Sequence, residues 1–80
     1  TTLFKQNIEK GIQEGLYRDT INVSSYVYFY YALIFTINEN TSSEKKAKKL
    51  ELEALEYHIR AMATPKGILE LNQYIISNQS

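Results

Sequence analysis

The residues of this 80-residue chain that could do chemistry are one histidine and a run of tyrosines. His58 is the sole histidine, and Glu51 lies two helical turns before it on nearly the same line of a helix. This spacing favours a hydrogen-bonded histidine in a helix interface over a contact that responds to pH, although an imidazole is able to serve in either way.

Catalytic and metal-binding chemistry would need partners that the sequence does not supply. There is no cysteine, no HExxH motif and no acidic pair set in an apolar frame. A nucleophile needs a base beside it, and nothing around His58 suggests that arrangement. We therefore expect a protein that is not an enzyme and that holds no metal and no cofactor.

Five aromatic residues within one short run are the best candidates for ligand contact: Tyr26, Tyr28, Phe29, Tyr30 and Tyr31. A tyrosine combines an apolar ring with a hydroxyl that needs a partner, so several around one helix can line an amphipathic pocket. The residues alone favour ordinary core and interface packing, and a small-molecule pocket is the alternative.

Composition limits the class of protein. A chain of 80 residues is one domain or part of one, and without cysteines it has no disulfide to stabilise it, so we expect oligomerisation or further chain. A formal net charge of zero argues against a nucleic-acid-binding module, which usually carries a basic excess. No signal peptide and no apolar run long enough for a membrane helix is visible, so we expect a soluble, cytoplasmic protein.

The spacing of apolar residues predicts an all-α fold with four helices. In the first helix, Phe4, Ile8, Ile12 and Leu16 recur every four residues. Gly15 is expected as a left-handed C-cap rather than as half of a GxxxG contact. Asn22 is the expected N-cap of a second helix over 23–37, which is apolar nearly all round and is therefore expected to be the surrounded core of the domain.

The second half of the chain predicts two further helices in close succession. The polar run 38–43 is expected as a loop whose Ser43 caps the third helix. That helix should end near Ala63, and Thr64 should cap a fourth helix that begins at Pro65. The final residues after Ile76 are expected to fray.

The third helix carries two apolar stripes, which is more apolar surface than packing against a single core would bury. One stripe contains Ala47, Leu50, Ala54, Tyr57 and Ala61, and the other contains Leu52, Leu55, Ile59 and Met62. The simplest way to bury this surface is to pair two hairpins of the last two helices into a two-fold four-helix bundle. Asn72, within the apolar arc of the last helix, would either fix the register of that interface or lie at its rim.

Two segments carry a resemblance to a known family. The run YHIRAMATPKGILELNQYI (57–75), together with NIEKGIQEGLYRDTIN (7–22), resembles the C-terminal regulatory domain of tetracycline-repressor (TetR) family transcription regulators, particularly the branch common in Bacteroidetes. The resemblance covers most of the chain in the same order, and residues 15–19 match the family's Gly-Leu-Tyr-Arg corner with its following acidic residue.

The resemblance implies a four-helix fragment of a TetR-type C-terminal domain, whose last two helices form a dimerisation hairpin. Residues 1–80 would be a single domain that binds an unknown small-molecule effector and reaches DNA only through an N-terminal helix-turn-helix domain outside this chain. A stand-alone helical interaction module without a DNA link is the main alternative, and a ligand-carrying bundle is a third.

Under this resemblance the candidate site residues form two groups. The expected ligand contacts are Tyr26, Phe29, Tyr30 and Leu33. The expected homodimer contacts use the stripe of the third helix with the smaller residues and one face of the last helix. They are Ala47, Leu50, Ala54, Tyr57, His58, Ala61, Ile68, Leu71, Asn72 and Ile75.

Overall fold

A computed structural model describes residues 2–78, and in this part of the chain all regular structure is helical. The helices are α1 (Thr2–Gln13), α2 (Val23–Asn40), α3 (Glu44–Met62) and α4 (Pro65–Ser77). The predicted all-α fold with four helices is therefore confirmed. Fraying was expected after Ile76, but α4 continues to Ser77, and the last two residues of the chain lie outside the described part.

The end of α1 is a glycine C-cap, as the sequence predicts. Gly15 has a φ of 77°, which costs a residue without a side chain little. The N–H of Leu16 donates to the carbonyl of Gly11 at 2.8 Å, and the N–H of Gly15 donates to that of Ile12 at 3.0 Å. These two bonds are the Schellman pattern, so α1 stops here and the chain turns away.

The second helix is longer than predicted. It runs to Asn40, whereas the sequence predicts a loop from Asn38 onward. The amides of Asn38 and Asn40 donate back to the carbonyls of Ile34 and Thr36, at 2.8 and 2.9 Å. Both carbonyls also accept the helical N–H four residues on, so each amide adds a second donor, and these polar side chains bond to the helix instead of ending it.

The three predicted N-caps are confirmed. Asn22 Oδ1 accepts from the N–H of Ser25 at 3.0 Å, and Ser43 Oγ accepts from that of Lys46 at 3.3 Å. Thr64 Oγ1 accepts from the N–H of Gly67 at 3.1 Å, with Pro65 in the first turn of α4. Each cap provides an acceptor for a helix N–H that lacks a partner within the helix.

The helix α2 lies between α1 and α3, and the α1–α2 and α2–α3 pairs are the extensive helix contacts of the described chain. The three helices share a buried cluster made of Ile8, Val27 and Met62, with half-buried residues such as Phe4 and Tyr26 around it. The expectation that α2 is surrounded is wrong, because Val27 is its one buried residue and Phe35 is 67% exposed. One side of α2 is open.

The helix α4 turns away from α3 after Thr64 and does not pack along it. A side-chain hydrogen bond connects the two helices, from Arg60 Nη2 to Asn72 Oδ1 at 2.8 Å. The Cα positions extend over 38 × 34 × 18 Å with a radius of gyration of 13.5 Å. A compact domain of this length would have a radius of about 11.6 Å, so the molecule is a flat plate with much apolar surface exposed.

Candidate functional site

The candidate site is an apolar groove between α2 and α3, with a volume of about 460 Å³. This size falls within the range of small-molecule pockets. The antiparallel course of the two helices, joined by residues 41–43, places the start of α2 beside the end of α3. We name it the aromatic groove, and its walls are Tyr26, Phe29, Ala32, Leu33, Thr36, Tyr57, His58 and Ala61.

The aromatic groove brings together residues from both groups predicted from the sequence. Tyr26, Phe29 and Leu33 come from the expected ligand contacts, while Tyr57, His58 and Ala61 come from the expected dimer contacts. Tyr30 does not line the groove. Its ring packs on Phe4 instead, with the ring centroids 5.0 Å apart.

His58 is buried in the wall of this groove and is 3% exposed. Its ring lies 5.0 Å from that of Tyr30, 5.6 Å from that of Phe4 and 6.3 Å from that of Tyr26, centroid to centroid. The Nε2 atom has no hydrogen-bond partner among the described residues. Burial lowers the pKa of His58 below its usual 6.5, because the charged imidazolium would lose its hydration.

Glu51 lies on the His58 side of α3 but pairs with a different residue. Its Oε2 accepts from Asn38 Nδ2 at 3.1 Å. Its charge also raises the pKa of Tyr30, although burial of that phenol contributes more. The hydrogen-bonded histidine expected from the sequence is therefore not observed, since aromatic rings rather than polar groups surround His58.

Arg18 links the two walls of the aromatic groove from the segment between α1 and α2. Its Nη2 donates to the carbonyl of Ala61 at 2.7 Å and to the hydroxyl of Tyr26 at 3.3 Å. The Ala61 carbonyl belongs to the last turn of α3, where a cation also suits the helix dipole. Sequence reasoning missed this role, because the partner carbonyl is 43 positions away along the chain.

The turn after α1 (15–18) is hydrogen-bonded to the turn between α3 and α4 (62–64). We name this pair of bonded turns the junction. The N–H of Thr64 donates to the carbonyl of Leu16 at 2.9 Å, and the N–H of Arg18 donates to that of Met62 at 2.8 Å. Thr64 Oγ1 also donates to the carbonyl of Gly15 at 2.6 Å. A side chain on Gly67 would collide with the Leu16 carbonyl, so this position needs glycine for close approach.

The expected dimer contacts fall into three classes of exposure. Ala47, Ala54 and His58 are buried within the chain and have almost no surface left for a partner. The half-buried class contains Ile68, Leu71 and Ile75, and the exposed class contains Leu50, Tyr57, Ala61 and Asn72. The alternative stripe of α3 is also divided, with Leu52 65% exposed and Met62 1% exposed.

Exposed large apolar side chains lie on all four helices, and most of them belong to α2, α3 and α4. On α3, Leu50 is 42% exposed and Leu52 is 65% exposed. On α4, Leu69 is 59% exposed and both Tyr74 and Ile76 are 68% exposed. So much exposed apolar surface on a small chain is typical of a surface that another molecule covers.

Metal-binding groups and membrane-spanning helices were searched for in the described part of the chain. No group of three or more acidic, histidine or cysteine residues there is placed to hold a metal ion. Among residues 2–78, no helix is both long and apolar enough to cross a bilayer. Comparison of the chain with family models, curated proteins and solved structures finds no match.

Proposed function

We propose that this chain is the C-terminal dimerisation and effector-sensing domain of a TetR-like transcription regulator. It is a non-enzymatic, cytoplasmic homodimer that binds a small molecule and acts on DNA through an N-terminal domain outside this sequence. The observation that carries the proposal is the aromatic groove, in which residues expected to bind ligand meet residues expected to contact a second copy.

The contacts of Arg18 and the junction support a link between ligand and dimer. The side chain of Arg18 touches both walls of the aromatic groove, and its backbone N–H is bonded to Met62 at the end of α3. An effector that separates the walls would disturb these bonds and the attached start of α4. To shift the equilibrium, the effector must bind one arrangement of the dimer better than the other.

The exposed apolar residues of α3 and α4 support homodimerisation. The test is the solution mass of the chain by light scattering, with Leu52→Glu and Ile76→Glu compared with Leu3→Glu. Leu3 is a matched control, because it is 71% exposed on α1. We expect a dimer that either charge on α3 or α4 splits while helicity is retained, and that Leu3→Glu leaves intact.

A folded monomer at all concentrations would contradict the proposal. It would favour the alternative of a stand-alone helical module that binds a different protein through the same residues. The observation behind this alternative is that α4 packs along no other helix of the described chain.

A further inference from the structure

The charges of α3 follow the reverse of the order that an isolated helix favours. Residues 44–50 contain four lysines and one glutamate, whereas residues 51–57 contain three glutamates and no lysine or arginine. Cations are unfavourable near the N-terminus of a helix, and lysines one turn apart, such as Lys45 and Lys49, repel each other. A partner with the opposite order of charge would compensate this cost.

The chain itself supplies no compensation for the lysines of α3. All four are exposed, and none of them forms an ion pair with a described residue. Glu56 pairs with Arg60 at 2.8 Å, but its side chain remains 48% exposed. A carboxylate has two oxygens and accepts several hydrogen bonds, so Glu56 is able to bind a second cation. Both charged segments are therefore accessible to another molecule.

Exposed leucines lie between the two charged segments. Leu52 is 65% exposed and Leu55 is 36% exposed, and residues three apart are neighbours on one side of a helix. Lys49 precedes Leu52 by three positions and Glu56 follows it by four, so both charges lie on the same side as Leu52. Apolar residues flanked by charges of opposite sign are typical of a surface that packs against another helix.

A second copy of α3 in the antiparallel direction has the charge order that this surface requires. With a two-fold axis beside Leu52, residues at equal distances before and after Leu52 face each other across the pair. Lys49 of one copy then lies level with Glu56 of the other to within about 1.5 Å along the helix, and symmetry repeats the contact. A parallel pair would instead place lysines beside lysines and glutamates beside glutamates.

We propose that α3 pairs with α3 of a second copy in the antiparallel direction, with Leu52 at the two-fold axis and Lys49 beside Glu56 of the second copy. This inference rests on the proposed function, because it specifies the surface and the direction of the proposed homodimer contact. A different protein would need a helix with the same order of charges, whereas a second copy always has one.

Charge reversal tests the pairing on the full chain, with the dissociation constant of the dimer measured by sedimentation equilibrium at low ionic strength. Lys49→Glu or Glu56→Lys alone would place like charges together at two symmetric contacts, so the dissociation constant should rise about tenfold. The double variant Lys49→Glu/Glu56→Lys restores opposite charges and should recover most of the affinity. The two positions are about 10 Å apart within one helix, so the recovery has to arise between copies.

Lys46→Glu is the matched control for the single variants. It makes the same change of charge at an exposed position of α3 that lies about 120° around the helix from Leu52. The dimer should keep its affinity in this variant. If the unaltered chain dimerises but the double variant is no tighter than either single variant, the inference is overturned, while the proposed homodimer stands with a different interface.

Cross-linking measures the direction of the pair without depending on charge, because the chain has no cysteine. A mixture of Lys49→Cys and Glu56→Cys chains should form a disulfide-linked dimer on mild oxidation. Each variant alone should form far less, because its two cysteines would be about 9 Å or more apart along the antiparallel pair. More cross-linking in the separate variants than in the mixture would overturn the inference. A chain that is monomeric in every measurement would contradict both the inference and the proposed function.

Discussion

At the scale of single residues, His58 is the feature with the clearest physical consequence. The groups that face its ring are Phe4 from α1 and Tyr26 and Tyr30 from α2. Burial raises the pKa of the Tyr30 phenol above its usual 10, so that hydroxyl brings no charge to the imidazole near neutral pH. The charged residues closest to these partners, Arg18 and Glu51, are engaged by Ala61 and Asn38, and no described carboxylate pairs with the imidazole. The protonated ring therefore has no compensation in the folded chain.

The folded chain is expected to lose stability as the pH falls from about 7 to about 5. In the unfolded chain the pKa of His58 is its ordinary 6.5, and burial lowers it in the folded chain. The unfolded state thus binds more protons below pH 6.5, and the free energy of unfolding falls by up to about 1.4 kcal/mol per pH unit. Thermal unfolding measured across this range would show the loss.

The matched variant is His58→Phe, which removes the titrating group and keeps an aromatic ring. Its unfolding temperature should depend less on pH between about 7 and 5 than that of the unaltered chain. Carboxylates titrate in both chains, so the difference between the two slopes isolates His58. Equal slopes would show that His58 does not titrate differently on folding.

At the scale of elements, α4 depends on the junction because it packs along no other helix. Its first turn is fixed by the bonds of Thr64 to residues 15 and 16 and by the close approach of Gly67 to Leu16. Lys66 Nζ adds a contact to the carbonyl of Glu14 at 3.1 Å. The direction in which α4 leaves the molecule is therefore set within its first turn.

The variant Gly67→Ala should destabilise the chain by about 1–3 kcal/mol, because its Cβ would collide with the backbone carbonyl of Leu16. For a chain of this size, the unfolding temperature would fall by roughly 5–20 °C. Gln73→Ala, at an exposed position of the same helix, is the control and should change little. Calorimetry on both variants gives the comparison, and an unfolding temperature unchanged by Gly67→Ala would contradict this account of the junction.

At the scale of the whole molecule, the flat shape is the central property. The smallest extent is 18 Å, and large apolar side chains of α2, α3 and α4 remain exposed. A chain of 80 residues that buries so little apolar surface has a small margin of stability by itself. Association would bury more of this surface and so raise the stability.

If the chain dimerises as proposed, its unfolding temperature should rise with protein concentration. Mass action requires this whenever the folded state associates and the unfolded state does not. Circular dichroism would measure the unfolding temperature over a roughly 100-fold range of protein concentration around the dissociation constant, and this temperature should rise with concentration. In Leu52→Glu the unfolding temperature should no longer depend on concentration, whereas Leu3→Glu should behave as the unaltered chain.

Sequence reasoning succeeded where the determining interactions are local. Asn22, Ser43 and Thr64 cap helices through bonds to residues three positions on, and Gly15 ends α1 through its own φ angle. The predicted end of α2 was too early, because the amide of Asn38 bonds back to the helix. Asparagine is common in turns, and its presence alone does not show whether its side chain will bond to a helix carbonyl instead.

Contacts between residues far apart along the chain were not predicted from the sequence. Periodicity shows that α3 has two apolar stripes, but it does not show that Ala47 and Ala54 are buried while Leu52 stays exposed. The contacts of Arg18 and the close approach at Gly67 depend on where two corners meet in space. The groove residues Phe29 and Leu33 were found because they share a face of one helix, while Tyr30 is turned toward α1.

The junction also bears on how the chain reaches its fold. The bond from Thr64 to Gly15 closes a loop between residues 49 positions apart, and closing such a loop in a free chain costs about 3.4 kcal/mol or more in entropy. Much of that cost is already met once α2 and α3 lie side by side, because their pairing brings the two corners together. The bonds between the corners in turn hold that pair in place. The α2–α3 pairing and the hydrogen bonds of the junction should therefore form in a single cooperative step, and neither should persist without the other.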